Sequence, residues 1–388
     1  MPALWAVLDF QGFRLDVEAW KQLAITNKKR VEEIDDSMPI IQASDENGNP
    51  VYRHLNPRST KQTSDYLRKT GFKGLPSTGE KVLRRFIRKY PDTEATQIAE
   101  KILESRKYSK RASTYGENFL DNLVEHEDEI DLVYTDYHIT GAETGRMSAS
   151  GAMHSIPIRD TKDFRKCFIA RPRHKLVIAD YDAQEARITA YLTQDERLIQ
   201  YFKEGKKVYV EVAKELTGQI VKKGDPEYNK VKSIFLGMDY GMTEYGLAER
   251  GIDKEYSTGF FNLFPGIKIW IDHQKESTKV TSTVSGRRAW LNPYSDQCER
   301  NALNNPHQGT AVDITKKALG YIHKIWEWNY PFGIVGVYHD EIVLDVPEDI
   351  APMIKKVVSG CMVDAAEEIC YGIPFKVDVV IADNWSEK

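Results

Sequence analysis

The chain has 388 residues and a net charge of −4, with 41% hydrophobic and 29% charged residues, a balance typical of a soluble enzyme larger than one average domain. No apolar run approaches the ~20 residues that span a bilayer, and the first ten residues show no basic stretch ahead of a long apolar core, so neither a membrane protein nor a secretory signal is expected. The four cysteines form no CxxC pair and no zinc-ligand spacing with histidine, which predicts reduced thiols in a cytoplasmic protein.

The first third of the chain combines helical periodicity with positive charge. Residues 51–115 hold sixteen Lys and Arg against six Asp and Glu. Glu80–Tyr90 and Thr93–Tyr108 place apolar residues at helical spacing between basic ones, whereas residues 45–49 and 76–79 are rich in turn formers. Such a segment is either a surface for a polyanion or a solvated helical face with its counterions, and charge alone leaves both open.

Strand and helix signals alternate in the middle of the chain. Leu176–Ala179 is a short apolar run typical of a buried strand, and it ends on Asp180. Helical periodicity then covers Ala183–Phe202. Further on, Asp225 and the proline after it supply an N-cap and a first-turn residue for a helix that reaches Tyr240.

The last third contains a predicted hairpin. Ile334–Tyr338 and Ile342–Val346 are rich in β-formers and flank a polar His339-Asp340-Glu341 corner. The elements together predict an α+β protein in which helices dominate and a small sheet carries acidic residues at its strand ends.

Asp180 and Asp340 are candidates for a phosphoryl-transfer site. Two divalent ions about 3.5–4 Å apart activate a hydroxyl and neutralise a triphosphate, and they need at least two carboxylates on rigid strands. Magnesium suits such a site because it keeps water and substrate phosphates among its ligands. Each aspartate taken alone is more often a cap or turn residue, so this hypothesis depends on the pair and on what lies between.

Several ordered motifs lie around these aspartates. Asp180–Arg187 reads DYDAQEAR, His339–Glu341 reads HDE, and Lys232, Leu236 and Tyr240 with its following glycine stand at steps of four. Other short motifs are TGR at 144–146, IPIR at 156–159, TVSGRR at 283–288, and R, N and QGT within 300–310. These segments resemble the motifs of family A DNA polymerases, the family of bacterial DNA polymerase I and its phage relatives, and the resemblance covers nearly the whole chain.

The resemblance implies a right-hand polymerase fold, with a palm on a small antiparallel sheet, helical fingers and a helical thumb. The implied boundaries are palm 1–24, thumb 25–115, palm with the first metal-site motif 116–195, fingers 196–299, and palm with the HDE hairpin and the C-terminus 300–388. No Asp-x-Glu exonuclease motif precedes these segments, so proofreading within the chain is not expected.

Residue roles around the metals follow from the resemblance. Asp180, Asp340 and the carbonyl of Tyr181 would bind two Mg²⁺ ions, with Glu341 beside them. The catalytic set is completed by Lys232, which would contact the triphosphate as a compact positive charge. Nucleotide contacts are implied for Tyr181, Glu185, Lys232, Leu236 and Tyr240.

Two of these assignments have structural alternatives. Glu185 resembles the family's steric gate, which fills the space of a ribose 2′-hydroxyl, but Asp182-x-x-Glu185 also fits a helix capping box. Lys232, Leu236 and Tyr240 share one helical face, which suits either a helix that closes over a nucleotide or ordinary core packing.

Primer-template contacts are also implied. Those near the active site are Arg146, Arg159, Arg300, Asn304, Gln308 and His339, and minor-groove contacts of this kind sense base-pair geometry rather than sequence. Pro306 is expected to break a helix so that Gln308 begins the next one. The thumb contacts, to duplex phosphates, are Arg84, Arg85, Arg88, Arg106, Lys110 and Arg111.

Three positions depart from the family pattern. Tyr228 stands in place of an Arg, Tyr209 in place of a His, and Leu236 in place of an aromatic residue, which predicts weakened nucleotide binding unless nearby lysines compensate. The leading hypothesis is a DNA-directed DNA polymerase that uses primer-template DNA and dNTPs in a bacterial or phage-infected cell, with a separate exonuclease or replisome proteins as partners. The alternatives are a polymerase that tolerates RNA templates and a primer-template-binding protein with impaired catalysis.

Overall fold

The computed structural model describes residues 2–44, 47, 49–126, 129–150, 162–242, 246–247, 254–276, 279–326 and 332–388. Two units can be distinguished along the chain. The first comprises Met1–Arg14, Tyr134–Asp160 and Phe168–Lys388, and the second comprises Leu15–Val133 and Thr161–Cys167.

The described helices and strands confirm the α+β expectation. The helices, in chain order, are α1 (Pro2–Leu8), α2 (Val17–Asp36), α3 (Thr60–Thr70), α4 (Glu80–Lys89), α5 (Glu94–Thr114), α6 (Lys162–Lys166), α7 (Gln184–Thr193), α8 (Glu196–Lys203), α9 (Val208–Thr217), α10 (Pro226–Asp239), α11 (Lys254–Leu263), α12 (Pro265–Lys275), α13 (Cys298–Trp326) and α14 (Ala351–Ile369). The strands are β1 (Phe13–Leu15), β2 (Ile40–Ser44), β3 (Pro50–His54), β4 (Leu123–His126), β5 (Glu129–Val133), β6 (Asp136–His138), β7 (Ser148–Ser150), β8 (Phe168–Ile169), β9 (His174–Tyr181), β10 (Val280–Ser282), β11 (Arg288–Trp290), β12 (Gly333–Tyr338), β13 (Glu341–Pro347) and β14 (Val377–Ala382).

The sheet of the first unit has the order β12-β13-β9-β14, and every neighbouring pair is antiparallel. The predicted buried strand is confirmed as β9, and the predicted hairpin as β12 and β13. Helix α14 packs across β9 and β14, and α13 packs against α14. Fully buried side chains such as Val177, Ile342 and Leu344 form the core between these layers.

The helical stretch predicted at Ala183–Phe202 is two helices, α7 and α8, which corrects the prediction. Gln194 interrupts the stretch in the left-handed region at φ +50°. The next residue, Asp195, caps α8 by accepting a hydrogen bond from the Leu198 amide at 3.1 Å, and it also accepts one from the Gly266 amide at 2.9 Å. Asp195 is thus a local capping signal at the break, and a partner 71 residues away adds a second hydrogen bond to the same side chain.

Pro306 does not break a helix, contrary to the prediction, because α13 runs through it. Proline removes one helical donor, which leaves the carbonyl four residues earlier without its usual partner. That carbonyl belongs to Ala302, and the Thr281 hydroxyl of β10 donates to it at 3.3 Å. Gln308 therefore lies inside α13 rather than at the start of another helix.

In the second unit α2 and α5 pack together, and α3 and α4 pack against α5. The predicted helices at Glu80–Tyr90 and Thr93–Tyr108 are confirmed as α4 and α5. Thr93 caps α5 by accepting from the Thr96 amide at 3.2 Å, and α5 continues past the predicted end to Thr114. Residues 45–49, of which 45, 46 and 48 lie outside the described residues, separate the paired strands β2 and β3.

The cysteines and the helices bear on two expectations from the sequence, reduced thiols and the absence of a membrane span. All four cysteines are free thiols, three of them buried. None of the helices in the described ranges combines the length and apolar character needed to cross a membrane.

Candidate active site

The register of the sheet brings Asp180 and Asp340 to the same end. Asp180 is the penultimate residue of β9 and lies opposite Glu341, the first residue of β13. Asp340 precedes Glu341 in the tight turn of the hairpin, where His339 adopts φ +60°. Asp378 of β14 lies opposite Asp180 on the other side. Carboxylates from three neighbouring strands are thus concentrated at one end of the sheet.

The electrostatics of this cluster favour a cation. Burial raises the pKa of Asp340 to about 7, and the negative charges of Asp180 and Glu185 add to the rise. A carboxyl in this state is stabilised in its charged form by nearby positive charge. Among the described residues no three His, Cys, Asp or Glu side chains are grouped to hold a metal. A pair of aspartates nevertheless fits Mg²⁺, which usually takes one or two carboxylates and completes its shell with water and phosphates.

Glu341 is held by two neighbours from the segment after β14. The Trp385 indole donates to Oε1 of Glu341 at 2.6 Å. Nζ of Lys388 lies 3.5 Å from Oε2 of Glu341 and 2.6 Å from Oδ2 of Asp180. An ammonium group therefore already lies among the carboxylates.

The side chain of Tyr181 points away from this cluster. Its hydroxyl donates to the Met362 carbonyl of α14 at 2.7 Å, and burial raises its pKa well above the ordinary value. The Tyr181 side chain is thus part of the core, and its hydroxyl is occupied by this hydrogen bond. The metal contact predicted for Tyr181 uses the backbone carbonyl and stays a prediction.

Glu185 faces Arg146, which corrects the capping-box alternative. The N-cap of α7 is Ala183, in the left-handed region and without a side-chain cap, rather than Asp182. Asp182 lies 3.5 Å from the Arg187 guanidinium. Oε1 of Glu185 lies 3.5 Å from Nη2 of Arg146. The Glu185 carboxylate is therefore available on the surface of the site, at the start of α7.

The loop that carries Arg146 is fastened to α13. Arg287 donates to the Thr144 carbonyl at 2.7 Å and to Asp313 at 3.0 Å. Lys316 donates to the Gly145 carbonyl at 2.8 Å. A Cβ on Gly145, at φ +79°, would lie 2.6 Å from the Arg287 guanidinium, so this close packing requires glycine.

The helix predicted to open at Asp225 and reach Tyr240 is confirmed as α10, which begins after Asp225 and ends before Tyr240; its place in the fingers stays a prediction. Lys232 is exposed on it, whereas Leu236 and Tyr240 are partly buried. The Tyr240 ring meets the His307 ring edge to face at 5.8 Å. The helix face that carries Lys232, Leu236 and Tyr240 is thus exposed to solvent at Lys232 and packed against other side chains at Tyr240.

The two tyrosines that replace an Arg and a His pack together. Their rings meet edge to face at 5.8 Å, and Nζ of Lys232 lies 5.7 Å from the centroid of Tyr209. Tyr209 is buried and Tyr228 is partly buried. They line a cavity of about 110 Å³ together with four lysines, which are Lys206, Lys207, Lys223 and Lys376.

Of the residues predicted to contact primer and template, three lie on α13 at steps of four. Arg300 is exposed and Asn304 and Gln308 are partly buried. Oδ1 of Asn304 is buried and has no hydrogen-bond partner within the described part of the chain. His339 is exposed in the hairpin turn. Arg159 lies outside the described residues.

The predicted phosphate contacts of the second unit differ in their surroundings. Arg84, Arg85, Arg88 and Lys110 are exposed, whereas Arg106 and Arg111 are partly buried. Arg106 donates to the carbonyls of Pro57 and Thr78 and to the hydroxyl of Thr63, and burial lowers its pKa. These bonds hold the Arg106 guanidinium against the loops of its own unit, and its phosphate contact stays a prediction.

Two residues of the site carry no role in the sequence prediction. Asp378 interrupts the apolar run 377–382, and this is the same signal that identified Asp180. Lys388 has no such signal, because only the folded segment after β14 brings it to Asp180.

Comparisons with known proteins agree with this architecture. The family model described as DNA polymerase family A matches residues 22–387. DNA polymerase I of Chloroflexus aurantiacus is 28% identical over an alignment of 411 positions, which covers 98% of this chain and 42% of that protein. The thermostable DNA polymerase I of Thermus filiformis is 30% identical over an alignment of 408 positions, which covers 98% of this chain and 47% of that protein. The chain thus spans less than half the length of these relatives.

A solved structure shows the same fold. It is the POL domain of Pol1 from M. smegmatis in complex with DNA primer-template and dNTP, and it has a TM-score of 0.85, 24% identity and coverage of 99% of this chain and 70% of that one. The predicted polymerase fold is therefore confirmed, while the boundaries between palm, fingers and thumb remain predictions. The family match over nearly the whole chain and the shared fold show that this chain belongs to DNA polymerase family A.

Proposed function

We propose that this chain is a DNA-directed DNA polymerase that extends a primer 3′-hydroxyl with dNTPs. The observation that carries the proposal is the sheet register, which places Asp180 opposite Glu341 and next to Asp340 at one end of the sheet. Rigid strands hold these carboxylates where a charged reaction centre would need them. Polymerase I relatives and the polymerase fold support the reaction class.

Asp180, Asp340 and the Tyr181 carbonyl would hold two Mg²⁺ ions. Bound there, the ions would supply charge neutralisation for the phosphates and lower the pKa of the primer hydroxyl. Glu341 would keep the cluster negative while Trp385 fixes its orientation. Lys232 would orient the triphosphate from α10.

The lysine-lined cavity beside Tyr209 and Tyr228 is the proposed position of the outer phosphates. Ala183 and Lys207, the N-caps of α7 and α9, line it, and neither makes a side-chain capping bond. Helix N-termini with uncapped amides attract anions, and lysines add to this attraction. Asp182 lies on the cavity wall only two residues beyond Asp180. These lysines would add positive charge near Lys232, which would still make the main contact with the triphosphate.

Primer-template DNA and dNTPs are the proposed partners. Arg146, Arg300, Asn304, Gln308 and His339 would follow the minor groove, and the exposed cations of α4 and α5 would meet duplex phosphates. An exonuclease and replisome proteins are further proposed partners, in the cytoplasm of a bacterial or phage-infected cell.

Primer extension tests the proposal. Labelled primers on DNA and RNA templates are incubated with Mg²⁺ and either dNTPs or rNTPs. We expect extension on DNA with dNTPs. Binding of primer-template without any extension would instead support an impaired binding protein, and equal extension on RNA would support a template-tolerant polymerase.

Replacing Glu185 with alanine should admit ribonucleotides. The carboxylate lies at the start of α7 beside Arg146, where it would exclude a ribose 2′-hydroxyl. We expect rNTP incorporation by Glu185→Ala to rise at least about tenfold relative to dNTP, a change of ~1.4 kcal/mol in discrimination. Glu185→Gln keeps the volume and serves as the control. Loss of dNTP activity without gain on rNTPs would show that Glu185 only positions Arg146.

Neutralising Arg84, Arg85 and Arg88 should weaken the salt dependence of duplex binding. Each lost phosphate contact should lower the slope of log affinity against log salt by about 0.9. The matched control neutralises Lys28, Lys29 and Arg30 of α2, which lie in the same unit outside the basic segment. An unchanged slope in the α4 variant, or an equal change in the control, would place the duplex on another surface.

A further inference from the structure

The segment after β14 places a positive charge at the acidic end of the sheet. Nζ of Lys388 lies 2.6 Å from Oδ2 of Asp180 and 3.5 Å from Oε2 of Glu341, and its side chain is 16% exposed. This ammonium is in ion-pair range but lacks hydrogen-bond geometry to any described residue. The contact is therefore electrostatic and weakly directional.

The fold holds this segment firmly in place. Trp385 is fully buried, donates to Glu341, and packs its ring against Phe13 at 5.9 Å and Tyr338 at 5.7 Å. Asn384 and Glu387 form a reciprocal capping box around the short helical turn between them. Lys388 follows directly, so the fold brings its side chain back to Asp180.

We propose that Lys388 holds the cation position at Asp180 in the metal-free protein and is displaced when a divalent ion binds there. This inference rests on the proposed function, because it takes Asp180 as a metal ligand. An ammonium and a metal ion compete for the same carboxylate oxygen, so one must leave before the other can bind. Lys388 is thus a positioning residue that keeps Asp180 and Glu341 together and raises the metal concentration needed to fill the site.

Direct Mn²⁺ binding tests the proposal without any activity measurement. Free Mn²⁺ is followed by electron paramagnetic resonance in titrations of the full chain, without DNA or nucleotide. We expect Lys388→Met to bind Mn²⁺ about tenfold more tightly than the wild type, ~1.4 kcal/mol. Lys388→Arg keeps the charge and should bind no more tightly than the wild type. The control is Lys175→Met, which removes a lysine that pairs with Asp383 at the same distance of 2.6 Å.

Thermal unfolding distinguishes competition between Lys388 and the metal ion from a purely structural role of Lys388. In EDTA the Lys388→Met variant should melt lower than the wild type because its carboxylates repel each other, and saturating Mn²⁺ should remove that difference. Equal losses with and without Mn²⁺, or an unchanged or weaker Mn²⁺ affinity, would overturn the inference. If Asp180→Asn bound Mn²⁺ as tightly as the wild type, the proposed function itself would be overturned.

Discussion

Asp180→Asn and Asp340→Asn should each reduce primer extension to less than about a hundredth of the wild-type rate, which is more than ~2.7 kcal/mol of barrier. Asparagine keeps the size of the side chain but removes the charge, and the reaction centre needs both carboxylates. Binding of primer-template should be nearly unchanged, because the proposed phosphate contacts lie elsewhere. Single-turnover extension and a separate binding titration measure the two effects independently.

Asp383→Asn is the matched control for this experiment. Asp383 follows β14 in the same unit and pairs with Lys175, and its side chain is 72% exposed. We expect wild-type extension from it. If Asp180→Asn or Asp340→Asn retained a tenth of the wild-type rate, the two-metal assignment would be wrong.

Lys232→Ala should raise the Michaelis constant for dNTP by roughly ten- to a hundredfold. A charge-assisted bond to phosphate contributes roughly 1.5–3 kcal/mol, and each ~1.4 kcal/mol is a factor of ten. Tyr209 and Tyr228 supply no positive charge beside Lys232, so this lysine should carry an unusually large share of triphosphate binding. Steady-state kinetics over a range of dNTP concentrations measures the change.

Lys230→Ala provides the comparison on the same helix. Lys230 lies two residues away, with its ammonium over the Tyr256 ring at 4.7 Å and near Glu227. Its removal should leave the Michaelis constant unchanged. A small effect of Lys232→Ala together with a large effect of Lys207→Ala or Lys223→Ala would show that the lysine-lined cavity has taken over the role of α10.

Local sequence determined where the acidic strand ends lie. The short apolar run before Asp180 is typical of a buried strand, and the β-formers on both sides of Asp340 are typical of a hairpin. The helical spacing of basic and apolar residues in α4 and α5 is also a local signal, and so is the proline at the start of α10. These signals lie within one element, so a single sequence reveals them.

Tertiary structure decided the rest, because the deciding partners are remote in sequence. Ala302 finds a donor in Thr281, which lets α13 pass through Pro306, and the Gly266 amide adds a remote hydrogen bond to Asp195 before α8. The loops around Arg106 accept hydrogen bonds from its guanidinium. Lys388 reaches Asp180 only because Trp385 is buried in the core. In the first three cases a polar group is satisfied where it is buried, whereas the Lys388 ammonium makes an ion pair. Only the folded chain determines these partners.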